Sequence, residues 1–192
     1  MIEHPDVIPI AVVVAVAIFI ARECLDAVRR YRARARKLHA IRCLVAAECE
    51  RNNFALSRLS SQVGRTEAAR GIGEEIKIEP YRNGIPRLSF ERHGELSTSS
   101  PLFPIQTTQL ERFLFDAAEL DAGLFELMEK ALDALIAVKH VRDSLIDYVS
   151  NDPARLEGFS EYATKELDKA LDPLRDVYFK CSGEPLTEAR VR

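Results

Sequence analysis

Residues 7–37, VIPIAVVVAVAIFIARECLDAVRRYRARARK, constrain this chain more than any other stretch. Fifteen uncharged residues (7–21) are followed at once by a block rich in arginine. Ten of the fifteen are Val, Ile or Phe. At about −0.3 to −0.6 kcal/mol each, they favour entry into a bilayer by roughly 3–6 kcal/mol. Pro9 falls where a first helical turn tolerates a missing N–H. The run is short, since fifteen residues make about 22 Å of helix against a hydrocarbon core of ~30 Å. Arginine snorkelling at Arg22 extends it, and the expected membrane helix covers residues 7–25.

Charge order separates an anchor from a secretory leader. A leader carries its positive charge before the apolar run. Here Glu3 and Asp6 precede it and the basic residues follow. Arg22, Arg29, Arg30, Arg32, Arg34, Arg36 and Lys37 all lie within reach of the C-terminal edge of the run. Positive charge is retained on the cytoplasmic side. The expected layout is a single pass through the cell's inner membrane, with residues 1–6 outside and the bulk of the chain cytoplasmic. The same seven basic residues form a cluster suited to an anionic inner leaflet. Ala11, Ala15, Ala17 and Ala21 give two small-xxx-small pairs, candidates for helix association.

The formal net charge is −3, and it is unevenly distributed. Residues 22–42 hold eight Arg or Lys against Glu23 and Asp26, whereas residues 43–192 hold nineteen against twenty-six Asp or Glu. An acidic body argues against nucleic acid as a partner. Cys24, Cys43, Cys49 and Cys181 have no metal-type spacing, and read as reduced thiols.

Residues 26–70 contain no proline and no glycine before Gly64. Val28, Tyr31, Ala35, Leu38, Ile41, Val45, Cys49, Leu56, Leu59 and Val63 recur at spacings of 3 and 4, with one stutter over Asn52. This predicts a long amphipathic helix that packs on its own domain or forms a coiled coil between copies. Gly71 and Gly73 end it. Residues 71–105 read as a β-hairpin, with alternation at Ile76/Ile78 and Leu88/Phe90 around Asn83-Gly84, and then a Pro/Ser linker. From Thr107 or Thr108, with Glu111 placed for a capping box, one helix is predicted to Val149. Asp152 and Pro153 then cap and begin a final helix stopped by Ser182-Gly183. Residues 106–182 thus form a helical hairpin, and 183–192 a tail. The expected fold is mainly α: a membrane helix continuing into a long helix, then an antiparallel bundle with a small β-hairpin insertion.

Chemistry is sparse. His140 and Asp143 lie three apart on a helix, but no nucleophile accompanies them. His39 and Cys43 supply two of the four ligands a zinc site needs. The Arg34–His39 spacing matches helical ribonucleases only as a basic block matches by chance. No catalytic, cofactor-binding or metal-ligating set is assigned, and no small-molecule substrate. The function expected is a membrane-anchored adaptor, scaffold or sensor with a protein partner or a second copy of itself. A bilayer-perturbing oligomer and a helical-scaffold enzyme rank behind it.

Overall fold

The computed structural model describes residues 10–80 and 84–187. It is mainly α: four α-helices and a small three-stranded antiparallel sheet. Helix α1 covers Ile10–Gly71, then come β1 (Glu75–Pro80), β2 (Pro86–Arg92), β3 (Glu95–Pro101), α2 (Thr108–Leu120), α3 (Ala122–Asn151) and α4 (Phe159–Ser182). The chain divides into two compact units, Met1–Ala40 and Ile41–Arg192.

In the first unit the structure is α1 alone, and from residue 11 to residue 40 no side chain is buried. The expected membrane-spanning helix over 7–25 is not found: no helix among the described residues is long and apolar enough to cross a membrane. The reason is length. The described helix begins at Ile10, and twelve residues separate it from Arg22, a rise of about 18 Å. Extension to residue 25 brings Arg22 and Glu23 into the span. Residues 1–9 lie outside the described part.

The second unit holds all the buried side chains of the described chain. Ile41, Val45, Cys49, Leu56, Leu59 and Val63 are at most 3 % exposed. The half of the stripe beyond residue 40 therefore packs within its own domain. Leu124, Met128, Leu135 and Leu145 of α3 and Ala163, Leu167, Leu174 and Val177 of α4 supply the facing core. α3 packs on both α2 and α4. The α3–α4 connection is too short to return along either helix, so the two run antiparallel.

Three local expectations are corrected. The hairpin is a three-stranded sheet, because the stretch read as a linker forms β3. His93 and Gly94 both have positive φ (55° and 82°) and Arg92 pairs with Glu95, so a two-residue turn joins β2 to β3. A bulge leaves Ser97 unpaired between the Phe90–Thr98 and Glu91–Leu96 pairs. The turn expected at Asn83-Gly84 falls largely on residues 81–83, outside the described part. β1 pairs with β2 from Glu75–Glu91 to Pro80–Pro86. Leu88 and Phe90 point from the sheet into the core, with the Arg65 guanidinium 4.7 Å from the Phe90 ring centre.

The second correction concerns the helix expected from Thr107 to Val149. It breaks at Asp121, which caps α3 by accepting from the Leu124 amide at 3.1 Å. The third concerns α4. Asp152 and Pro153 begin a single 3₁₀ turn, Pro153–Leu156, and α4 itself starts after Gly158, which holds φ at 72°. Gly183 ends α4 at φ 77°.

Candidate functional site

The seven basic residues sit on one continuous helix, at 100° per residue. Arg22, Arg29, Arg30, Arg32, Arg34, Arg36 and Lys37 then occupy about 200° of its circumference. All are exposed. Arg29 pairs with Asp26 at 3.3 Å and Arg30 approaches Glu23 at 3.9 Å, so part of the charge is answered within the helix. The opposite arc carries Cys24, Ala27, Val28, Tyr31, Ala35 and Leu38. Only Leu38 is even half-buried, and Tyr31 is 75 % exposed.

N-terminal to this root, Val12, Val13, Val14, Val16, Ile18, Phe19 and Ile20 are 50–65 % exposed. Ala11, Ala15, Ala17 and Ala21 are exposed among them. Large apolar patches left in water are unfavourable by about 25 cal/mol per Å² and mark a surface for lipid or protein. The arrangement is an apolar rod with a cationic collar. It has the chemistry to enter hydrocarbon at one end and hold anionic headgroups at the other.

In the second unit α1 carries four buried polar residues, Glu48, Asn52, Gln62 and Thr66, and the first three, which the sequence pattern passes over or leaves open, reach distant partners. Glu48, 1 % exposed, accepts from the amides of Gln109 (2.9 Å) and Leu110 (3.1 Å). It therefore caps α2 from a distance, in the place expected of Thr107 or Thr108. The Thr107 hydroxyl instead donates to Glu111 at 2.6 Å, and no capping box forms. Asn52 is fully buried and clamps one residue from both sides: its amide donates to the Gln106 carbonyl (2.6 Å), and its carbonyl accepts from the Gln106 amide (2.8 Å). Gln62 donates to the Ser100 hydroxyl at 3.0 Å and to the Pro101 carbonyl at 2.8 Å. The three tie the 100–110 segment to α1. Asn52 falls in the stripe's own arc, which is the signal in the sequence that it faces inward, whereas Glu48 lies about 20° beyond the arc's edge.

Asp121 gathers three donors. It receives Arg42 at 2.6 Å, Lys180 at 3.4 Å and the Leu124 amide. Burial alone would push its carboxyl up, but these donors together hold it below the ordinary carboxylate range. The node joins α1, α3 and α4.

The candidate pair His140 and Asp143 does not form a unit. Asp143 accepts from Arg142 at 2.8 Å, and Arg142 also donates to the Leu102 carbonyl. Both His140 and Asp143 are exposed. Cys24, Cys49 and Cys181 are free thiols. Burial pushes Cys49 and Cys181 upward, Cys181 to about 11, so both stay protonated near neutrality. Among the described residues no three His, Cys, Asp or Glu side chains are grouped to hold a metal ion. A groove of about 540 Å³ between α1 and α4 is lined by Asn53, Ser57, Ser61, Leu167, Asp168 and Arg175. Three of its polar groups have partners: Ser61 donates to the Ser57 carbonyl, Arg175 to Asp172 and Asn53 to the Thr187 carbonyl. No protein-family model, curated protein or solved structure matches this chain.

Proposed function

We propose that this chain is a membrane-anchored interaction protein whose helical bundle is held at an anionic, cytoplasmic leaflet by the first forty residues. The observation that supports the reading is the unbroken exposure of the Val12–Ile20 apolar segment, followed directly by the arginine collar. A helix with those two neighbours gains from burying its apolar side chains in lipid. Each basic residue near the surface adds about 1 kcal/mol of attraction to anionic headgroups. The apolar segment of the described helix is short for a crossing, so the collar shares the task of retention. Two weak signals together give stable anchoring where one does not. The buried polar ties of the second unit hold a rigid bundle, which is what an adaptor or scaffold requires.

The test is flotation of the full chain with vesicles of neutral or of partly anionic lipid. Co-flotation with anionic vesicles at low salt is expected, with a loss on neutral vesicles or when Arg29, Arg30, Arg32, Arg34 and Arg36 are changed to Gln. Equal recovery in the absence of lipid, or no flotation on either vesicle, would refute the anchor. Protease protection in closed vesicles then reads whether the N-terminus crosses.

A further inference from the structure

The exposed part of α1 carries a heptad seam without breaks. Val14, Ala17, Ala21, Cys24, Val28, Tyr31, Ala35 and Leu38 follow one another at spacings of 3, 4, 3, 4, 3, 4 and 3. All lie within one helix, and all but Leu38 are exposed. From Ile41 the same 3-and-4 period is buried by its own bundle. Over residues 14–38 the period is kept although no described side chain of the seam is buried. Every side chain from residue 11 to 21 is apolar, so the period is selective over Cys24–Leu38, two heptads in which charged residues flank the seam, and a 3.5-residue period is the pattern that a second helix of the same period fills.

The geometry points to a second copy of this chain, paired in parallel and in register along Val14–Leu38. With Val14, Ala21, Val28 and Ala35 at a and Ala17, Cys24, Tyr31 and Leu38 at d, the flanking positions decide the occupant. Arg22, Arg29, Arg30, Arg36 and Lys37 fall at b and c, away from the seam. In a parallel pair each g residue meets the e residue five further along the partner. Those meetings are Val13 with Ile18, Ile20 with Leu25, Ala27 with Arg32 and Arg34 with His39. Two are apolar and extend the interface, and none sets arginine against arginine. An antiparallel pair would lay Arg32 and Arg34 over the apolar end of the partner and strip water from them. Ala17 and Ala21 on the seam allow close approach of the two backbones. Of the four alanines, Ala11 and Ala15 fall at e and b, so the seam selects the Ala17–Ala21 pair.

Cys24 makes the register readable, because d residues of a parallel in-register pair face each other. The experiment is mild oxidation of the full chain, with the membrane and soluble fractions assayed separately. Association with lipid and pairing are thus scored independently. A disulfide dimer is expected from the native chain, lost in Cys24→Ser and restored when Cys24→Ser is combined with Val28→Cys or Tyr31→Cys. The combination with Ala33→Cys, on the far face, is expected to stay monomeric. Val28→Glu with Cys24 retained is expected to abolish the dimer while the bundle's melting temperature is unchanged, since Val28 lies outside the core. Cross-linking at Ala33→Cys equal to that at the seam, no cross-link from any seam position, or a cross-link to a different protein instead of a second copy would each overturn the pairing.

Discussion

Asn52 interrupts an otherwise apolar stripe, and a leucine there would complete the helical pattern. The structure predicts that Asn52→Leu is nevertheless destabilising. The side chain is fully buried and satisfies both the amide and the carbonyl of Gln106. Leucine leaves the two backbone groups without partners, at about 1–3 kcal/mol for each buried orphan. Urea unfolding of the variant is expected to show a loss of roughly 2–4 kcal/mol, and an unchanged midpoint would show that water replaces the amide. Asp121 supports a pH-dependent prediction. Its folded carboxyl is held below the ordinary range, whereas the unfolded chain titrates near the usual value of about 3.9. The stabilisation is therefore complete above that value and is lost as pH falls through the lower folded one. Asp121→Asn should lower stability by about 1–3 kcal/mol at neutral pH, through the loss of charge-assisted bonds. The difference from the native chain should narrow below about pH 4. A gap that widens in acid would show that Arg42 and Lys180 do not depend on the carboxylate.

The elements that sequence reading located well are those whose partner is the core. α1 is visible because no proline interrupts it and its apolar positions recur at 3 and 4. α4 is visible through the same period, even with Pro173 inside it. The missed elements have signals one or two residues long. β3, ELSTSSP, offers only Leu96 as a large apolar side chain, and that residue is 57 % exposed. Its clue was His93-Gly94, a pair able to hold positive φ at both positions. The α2–α3 break sits in the six residues between the buried Ala117 and Leu124, where Asp121 serves as cap. The distant caps could not be read at all, since Glu48 and Leu110 are sixty-two residues apart in the chain. Two glycines separate helix from turn experimentally. Gly64 lies inside α1 with nothing within 4 Å of an added Cβ, so Gly64→Ala should stabilise by about 0.5–1 kcal/mol. Gly94 also has open space around it but holds φ at 82°, so Gly94→Ala should destabilise by about 1–2 kcal/mol through backbone strain. Thermal melts of the two variants moving in opposite directions would confirm both placements; two upward shifts would remove the β2–β3 turn.

At the scale of the whole molecule, burial and exposure are segregated along the chain. Every buried side chain among the described residues lies at Ile41 or beyond, and the strongly basic, apolar-tipped segment lies before it. The second unit therefore supplies its own core, whereas no described side chain of the first is buried. Removal of residues 1–40 separates the two. The core residues of α1, the Asn52 and Glu48 clamps and the Asp121 node all remain, since Arg42 is the earliest residue that takes part. The shortened chain is expected to keep the melting temperature of the bundle to within a few degrees, because every fully buried side chain among the described residues is retained. It is also expected to lose recovery with anionic vesicles entirely. Charge argues for the second outcome as well as hydropathy does: the remaining body carries more acid than base, so an anionic surface repels it. A shortened chain that still floated would move the lipid-binding surface onto the bundle. One that floated no longer but melted far lower would show that the first forty residues support the fold, against the segregation seen here.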